Sequence, residues 1–515
     1  MGKFKIILII VAFLLLPVLK AFSADISDND LKTLFLTNNA NVYAINIRTF
    51  NAKDKNNDGI IDEAVGDERG NFLNAIDRLD ELAAMGINTI QLLPVTSVGK
   101  IKALGTAGSL YAASSFNELN PQLKARNSKL TIEDEMRTFV DECHKRKIKV
   151  LVDLPCCGSY DLYLKHPDLF KKDKNNNPIV PSDWTDVRLL DAGIESQINM
   201  DVYNLYASFV DIMIDLNVDG IRANVPTIKP ASFWKKLIDE TKARNPQFVF
   251  IAEASSNSKN PVCESLSFTP LTKLLDAGFD LYYGNYNELK TWQKAGDLIS
   301  SVKKDLEISK KYSGNKKVLG NFATHDQISP ILINGPQFSK MIIWLSATLP
   351  LNTYSIDGFS TGDNYIYFWA NKKAPKTYTD DEYYFVHRGQ MDIFNFSRKP
   401  MGNYYDIYQD FIIANRFKVI ASDTLSKGSF VPLRTSRNSV FAYSRNNDKI
   451  SIVVYGNLDF RNSQENVSIK VPKINTKMIS VPIKLLSIPK VSNGEITTNL
   501  APGEVQVLMF NKSEE

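Results

Sequence analysis

Two stretches of this chain carry residue types that could do chemistry at a fixed spacing. In Val218-Asp-Gly-Ile-Arg-Ala-Asn224 a short apolar run opened by Asp219-Gly220 reads as a buried strand. Alternation along a strand puts Arg222 and Asn224 on one face and Asp219 and Ala223 on the other. An arginine two residues before a small polar side chain, at the C-terminal end of a parallel strand, lies where a (β/α) barrel gathers its reactive groups. The second stretch is Asp54-Lys-Asn56-Asn-Asp58-Gly59-Ile-Ile-Asp62. Oxygen-bearing side chains at positions one, three, five and nine, with glycine at six, have the spacing of a calcium loop. Asp54, Asn56, Asp58 and Asp62 are therefore candidate Ca2+ ligands. Val65 stands where a bidentate glutamate would complete such a loop, and a solvated Asn/Asp turn is the other reading.

Composition bounds the alternatives. The 515 residues are 44% hydrophobic and 23% charged, which is ordinary for a globular chain able to bury a large core. Residues 1–23 read as a signal peptide: Lys3 and Lys5, an apolar run Ile6 to Leu19, then Ala21-Phe-Ser23 before a cut at Ala24. The run is shorter than the roughly 20 residues a membrane span needs, although an uncleaved anchor is a second possibility. The expected location is outside the cytoplasm, secreted or periplasmic. Without Lys3, Lys5 and Lys20 the 61 basic residues become 58 against 57 acidic, and no basic stripe argues for nucleic acid. Cys143, Cys156, Cys157 and Cys263 have no metal-binding spacing. Adjacent Cys156 and Cys157 are not expected to bridge each other, so buried thiols are the simpler reading.

Strand and helix patterns alternate along most of the chain. Strands are expected at Asn41–Ile47, Asn88–Pro94, Lys147–Asp153, Val218–Asn224, Phe248–Glu253, Phe279–Tyr283, Val318–Phe322 and Leu351–Ser355. Helices are expected between them: Phe72 to Leu82 ending at Gly86, one opened by Thr131 and Asp134, Asn199 to Leu216, Phe233 to Lys242, much of Leu289 to Lys311, and Phe338 to Thr348. An irregular polar stretch, 155–197, follows the third strand. Near residue 425 short strands joined by Asn, Asp, Gly and Pro turns take over. The expected class is α/β: a (β/α)8 TIM barrel over 24–425 with a short insertion at 155–197, then a C-terminal antiparallel β-sandwich over 426–515. A tyrosine-rich run, Tyr365 to Tyr384, offers either a sugar-stacking face or ordinary packing.

In this order the pieces resemble the α-amylase family of glycoside hydrolases. Val42-Tyr-Ala-Ile-Asn-Ile-Arg-Thr-Phe50 resembles its opening strand, Gly70-Asn-Phe through Leu92-Leu-Pro94 its first helix and second strand, and Leu500-Ala-Pro-Gly-Glu-Val505 its closing turn. The insertion matches its B domain, and the Asp54 loop is similar to that of the oligo-glucosidase branch. The resemblance implies roles. Glu253 falls on the general acid/base and Asp326 on the substrate clamp, with His325 beside it. Asp153 and Arg222 fall on substrate-site positions and Tyr111 on the tyrosine that stacks the reacting sugar. Departures are as informative. Asn224 occupies the nucleophile's position, Ala112 replaces an aspartate, Thr324 an asparagine, and Cys157-Gly158 an Asn-His pair.

A retaining glycosidase needs a carboxylate about 5–5.5 Å from its acid, and an amide can neither attack the anomeric carbon nor balance an oxocarbenium-like charge. Losing the nucleophile of a concerted set costs on the order of 10⁴–10⁶ in rate. Arg222 is also expected to lose its ionic partner. The expected function is an exported protein that binds α-glucans or malto-oligosaccharides with hydrolysis lost or weak. The alternatives are an active retaining hydrolase or transglycosylase and a non-catalytic interaction protein on the same barrel.

Overall fold

The computed structural model describes residues 30–181, 184–259, 268–364, 391–471, 474–483 and 485–512. The signal segment, Cys263 and the Tyr365–Tyr384 run lie outside the described residues.

Eight strands rich in β-branched and aromatic side chains form where the sequence places them: β1 (Asn41–Ile45), β2 (Thr89–Leu92), β3 (Lys149–Leu154), β4 (Gly220–Ala223), β5 (Val249–Ala252), β6 (Leu281–Tyr283), β7 (Lys317–Gly320) and β8 (Asn352–Ile356). Each pairs in parallel with its neighbour in sequence, and β8 closes on β1, with Val42 opposite Tyr354. Nearly every strand residue is buried, as expected when helices cover the outside of a barrel and side chains fill the inside.

The covering helices follow local signals. The Thr131 hydroxyl accepts the Asp134 N–H and starts Ile132–Lys145, whose Met136, Phe139, Val140 and Cys143 face inward. The Asn199 side chain caps Met200–Asp215 in the same way. The expected helix after Phe72 is broken into Phe72–Ala75, a 3₁₀ turn at Ile76–Arg78, and Leu79–Ala84. Arg78 in that turn reaches inward to Asp357 and to the Phe50 carbonyl. Pro330–Thr348 begins about two turns earlier than the periodicity suggests and kinks at Asn334-Gly335, ahead of Pro336. Tyr405–Ile420, which packs against Pro330–Thr348, has no counterpart in the sequence reading.

Beyond Ser422–Lys427, a five-stranded sheet and a three-stranded sheet stack as a sandwich. Val440, Ala442, Val453, Tyr455, Leu508 and Phe510 from one sheet meet Val467, Ile469, Ile496 and Leu500 from the other. The opposite face of the larger sheet, through Phe441, Tyr443, Ile452 and Val454, joins the barrel core. Among the described residues no helix is long and apolar enough to cross a membrane.

Candidate active site

The C-terminal ends of the barrel strands bring the expected residues together around Arg222. Its guanidinium is 1% exposed and reaches Asp153 Oδ2 at 2.9 Å, Glu253 Oε1 at 2.5 Å and the Tyr283 hydroxyl at 3.2 Å. Strand alternation does what the sequence implies: Arg222 points into the barrel, while Asp219 accepts from His144 at 2.8 Å and from the Val150 N–H. The ionic partner expected at 224 is absent, yet Arg222 is not left unpaired. With no carboxylate at 224, the Glu253 carboxylate itself pairs with the arginine.

Glu253 is held on its other oxygen too. Oε2 accepts the Asn224 side-chain N–H at 2.8 Å and the Val225 backbone N–H at 2.9 Å. Val225 takes a left-handed conformation, φ 38° and ψ 57°, which is unfavourable for a β-branched residue. Such strain persists where the surroundings over-determine it; here it accompanies a backbone N–H aimed at the carboxylate. Among the described residues, every side chain or N–H hydrogen-bonded to the Glu253 carboxylate is a donor.

The second half of the site is a relay of hydroxyl and imidazole. Asp153 is fully buried and accepts from Gln91 at 2.9 Å and from the Tyr111 hydroxyl at 2.7 Å. The same hydroxyl meets His325 Nε2 at 2.9 Å, and the two rings stack 5.7 Å apart within 6° of parallel. A hydroxyl that gives its proton to Asp153 can only accept from His325, which assigns the proton to Nε2. Asp326 lies 3.6 Å from that nitrogen, and its side chain is 44% exposed toward solvent.

Burial sets the protonation balance. It pushes Asp153 up to about 7 despite Arg222 and the Tyr111 hydrogen bond. Burial, then Arg222, pushes His325 down to about 3. Burial also opposes the charge on Arg222, but Asp153 and Glu253 outweigh it and hold the guanidinium protonated. Asp153 favours the folded chain in acid, and its contribution is lost as pH rises through about 7. His325 has the opposite sign: its contribution is present above 6.5 and is lost as pH falls toward about 3. His325→Gln removes only the second slope. The variant should therefore gain melting temperature in acid relative to neutral pH, compared with the natural chain, when both are scanned at about pH 5 and 7.5. Equal slopes would refute this assignment.

Where the resemblance places a polar pair, the chain is apolar. Ala112, Cys156, Cys157, Val187, Leu189 and Ile228 form one small buried cluster. Residues Cys157–Ser159 pair with Val187–Leu189 at the base of the insertion. A Cβ on Gly158 would lie 2.8 Å from Phe170 Cζ and 2.9 Å from Leu162 Cδ2, so the space an imidazole would need is filled. Cys143, Cys156 and Cys157 are free buried thiols. The sequence reading missed Gln91, Tyr283 and Val225. Gln91 could have been found as the one amide within an otherwise apolar Ile-Gln-Leu-Leu run, and Tyr283 as the last residue of its strand.

In the loop after β1, Asp54 Oδ2 accepts the Gly59 N–H at 2.7 Å, Asn56 Oδ1 that of Asp58 at 3.1 Å, and Asp58 Oδ1 that of Ile60 at 2.7 Å. Asp62 caps the turn Glu63–Val65. Asp54 Oδ1 is buried with no hydrogen-bond partner, which suits a cation on that oxygen. Among the described residues, however, no three His, Cys, Asp or Glu side chains are grouped as a metal would require. Any cation there would rest on the Asn56 amide and backbone oxygens as well.

A closed parallel barrel with a buried arginine–carboxylate cluster at its C-terminal mouth, a short insertion after β3 and a terminal sandwich is an α-amylase-type fold. The comparisons agree, and the resemblance to the α-amylase family read from the sequence is borne out. The fold is shared with a noncanonic maltogenic α-amylase, AmyB, from Thermotoga neapolitana (TM-score 0.68, 18% identity, 93% of this chain and 100% of that one). It is also shared with an α-amylase from Geobacillus thermoleovorans solved with acarbose (TM-score 0.64, 17% identity, 93% and 100%). In sequence the chain is similar to curated α-1,4-glucan:maltose-1-phosphate maltosyltransferases. It is 25% identical over 226 residues to that of Bifidobacterium animalis subsp. lactis, covering 40% of this chain and 29% of the relative. It is 23% identical over 422 residues to that of Picrophilus torridus, covering 78% and 61%. The chain thus spans between 29% and 61% of the length of these curated relatives. No family model matches.

Proposed function

We propose that this is an exported α-glucan-binding protein on an amylase-type barrel, with hydrolysis lost or residual. The observation that carries the reading is the state of Glu253: Arg222 on one oxygen, Asn224 and Val225 on the other. A general acid must present a proton to the leaving oxygen, whereas this carboxylate is arranged only to accept. The partner across the anomeric carbon is a neutral amide. What supports sugar recognition is the remaining half of the cluster: the Tyr111 ring as a stacking surface, and Asp326 exposed as an acceptor for hydroxyls. Titration of the purified protein with malto-oligosaccharides, with reducing-end release assayed in parallel, tests this. Binding without turnover at ordinary enzyme rates is expected. Turnover at such rates would establish the hydrolase or transglycosylase reading. Neither binding nor turnover would leave the barrel an interaction scaffold.

The proposal includes Ca2+ at the loop of Asp54, Asn56, Asp58 and Asp62, supported by the ligand spacing and the orphaned Asp54 oxygen. Binding only to the folded chain stabilises it by mass action, by about 2.7 kcal/mol at a hundredfold excess over Kd. Melting temperature should therefore rise with Ca2+, fall with chelator, and stop responding in Asp54→Ala. An unchanged melting temperature of the natural chain with both Ca2+ and chelator would remove calcium from the proposal.

A further inference from the structure

Beside the sugar site lies a group of buried reactive side chains that glucan binding does not use. Lys229 is 1% exposed, and its ammonium donates to the Cys156 carbonyl at 2.7 Å and lies 5.0 Å from the centre of the Tyr206 ring. Burial lowers its pKa most and Lys171 adds to this, while the two sulfurs of Cys156 and Cys157 favour its charge. A buried cation without a counter-anion is costly. The Cys156 and Cys157 sulfurs lie 3.4 Å apart, turned toward each other although their residues are adjacent. The contact with the Cys157 sulfur, together with Lys229, lowers the Cys156 thiol from the ordinary thiol range despite burial, while the same contact and burial push Cys157 up. Cys156 is thus the sulfur of the pair that gives up its proton first, with the Lys229 ammonium held against the same residue's carbonyl.

We propose that Cys156 and Cys157 are a redox-modification site: a vicinal dithiol that peroxide closes to a disulfide and a thiol reductant reopens. Peroxide is small enough to enter a site whose two residues are 4% and 2% exposed. The Cys156 thiolate attacks one peroxide oxygen, the O–O bond breaks, and the departing hydroxide takes the Cys157 proton to become water. The Cys157 sulfur then attacks the Cys156 sulfenic acid, the S–O bond breaks, and the second hydroxide takes a proton from solvent. Two sulfurs are oxidised and one peroxide is reduced to two waters. Neighbouring Cα atoms are about 3.8 Å apart, closer than in ordinary disulfides, so the product is strained and readily reduced. It also removes from Lys229 the two sulfurs that favour its charge.

The test is peroxide treatment of the full chain, alkylation under denaturing conditions, and mass mapping of the peptide that carries both residues. That peptide should escape alkylation at both cysteines, weigh two hydrogens less, and recover with dithiothreitol. The oxidised protein should melt at a lower temperature, because the Lys229 charge has lost the support of both sulfurs. In Cys157→Ser the reaction should stop at a sulfenic acid on Cys156 that dimedone captures. Full alkylation of both cysteines after peroxide would overturn the proposal, as would direct progress to sulfinic acid in the natural chain. The wild-type measurement decides even if the variant fails to fold.

Discussion

Asn224→Asp should raise reducing-end release from malto-oligosaccharides by about 10²-fold or more over the natural chain, a fraction of the 10⁴–10⁶ that a nucleophile contributes. The substitution acts twice. It supplies the carboxylate that attacks the anomeric carbon. It also replaces a donor on Glu253 Oε2, now at 2.8 Å, by a like charge. Two carboxylates then compete for Arg222, and like charge favours the protonated form of one of them. Glu253 loses one of its three donors and holds a proton more readily, keeping Arg222 and the Val225 N–H. Recovery stays partial because Ala112 and Cys157-Gly158 leave the sugar less firmly held, and misplacement alone costs about 10²-fold. Asn224→Ala is the control and should show no gain. If the natural chain turns over at ordinary rates and Asn224→Ala leaves that rate untouched, position 224 is not the nucleophile's place.

Arg222→Met should destabilise the fold by about 3–5 kcal/mol, the cost of removing one partner from a buried charge network. Asp153 and Glu253 both rest on this guanidinium, the first with no exposure at all. The loss should be largest above pH 7, where Asp153 must be charged. Urea unfolding measures it. A change under about 1 kcal/mol would mean the cluster is solvated and its ion pairs are of the surface kind.

The barrel was legible because its strands are short apolar runs and its helices carry period-3.6 stripes, as at Met136, Phe139, Val140 and Cys143. The eighth covering helix escaped for a physical reason. Ile407, Phe411 and Ala414 keep the spacing, but the stripe also contains buried Asn415 and Lys418. Lys418 is satisfied by the Leu351 carbonyl and the Thr353 hydroxyl rather than by water, so a polar letter sits on an inward face. The members of the site were legible through the family resemblance, residue by residue. Their pairing was not. That Glu253 turns to Arg222, and that Tyr111 bridges Asp153 and His325, depends on side-chain rotamers and on Val225's left-handed turn, which no spacing encodes.

On the proposed reading, the contact between Gly158 and Phe170 bears on the order in which glycosidase activity could be built into this chain. Position 224 is open to change one residue at a time, since aspartate is nearly the same size as the asparagine it replaces. Position 158 is tighter: a Cβ there comes within 2.8 Å of Phe170 and 2.9 Å of Leu162, so those side chains must shift before a histidine fits. A selection for activity starting here would find the nucleophile first and the imidazole only through an intermediate with a weakened insertion. On the proposed reading the two departures are therefore unequal: the first is reversible in a single step, while the second also requires its neighbours to repack.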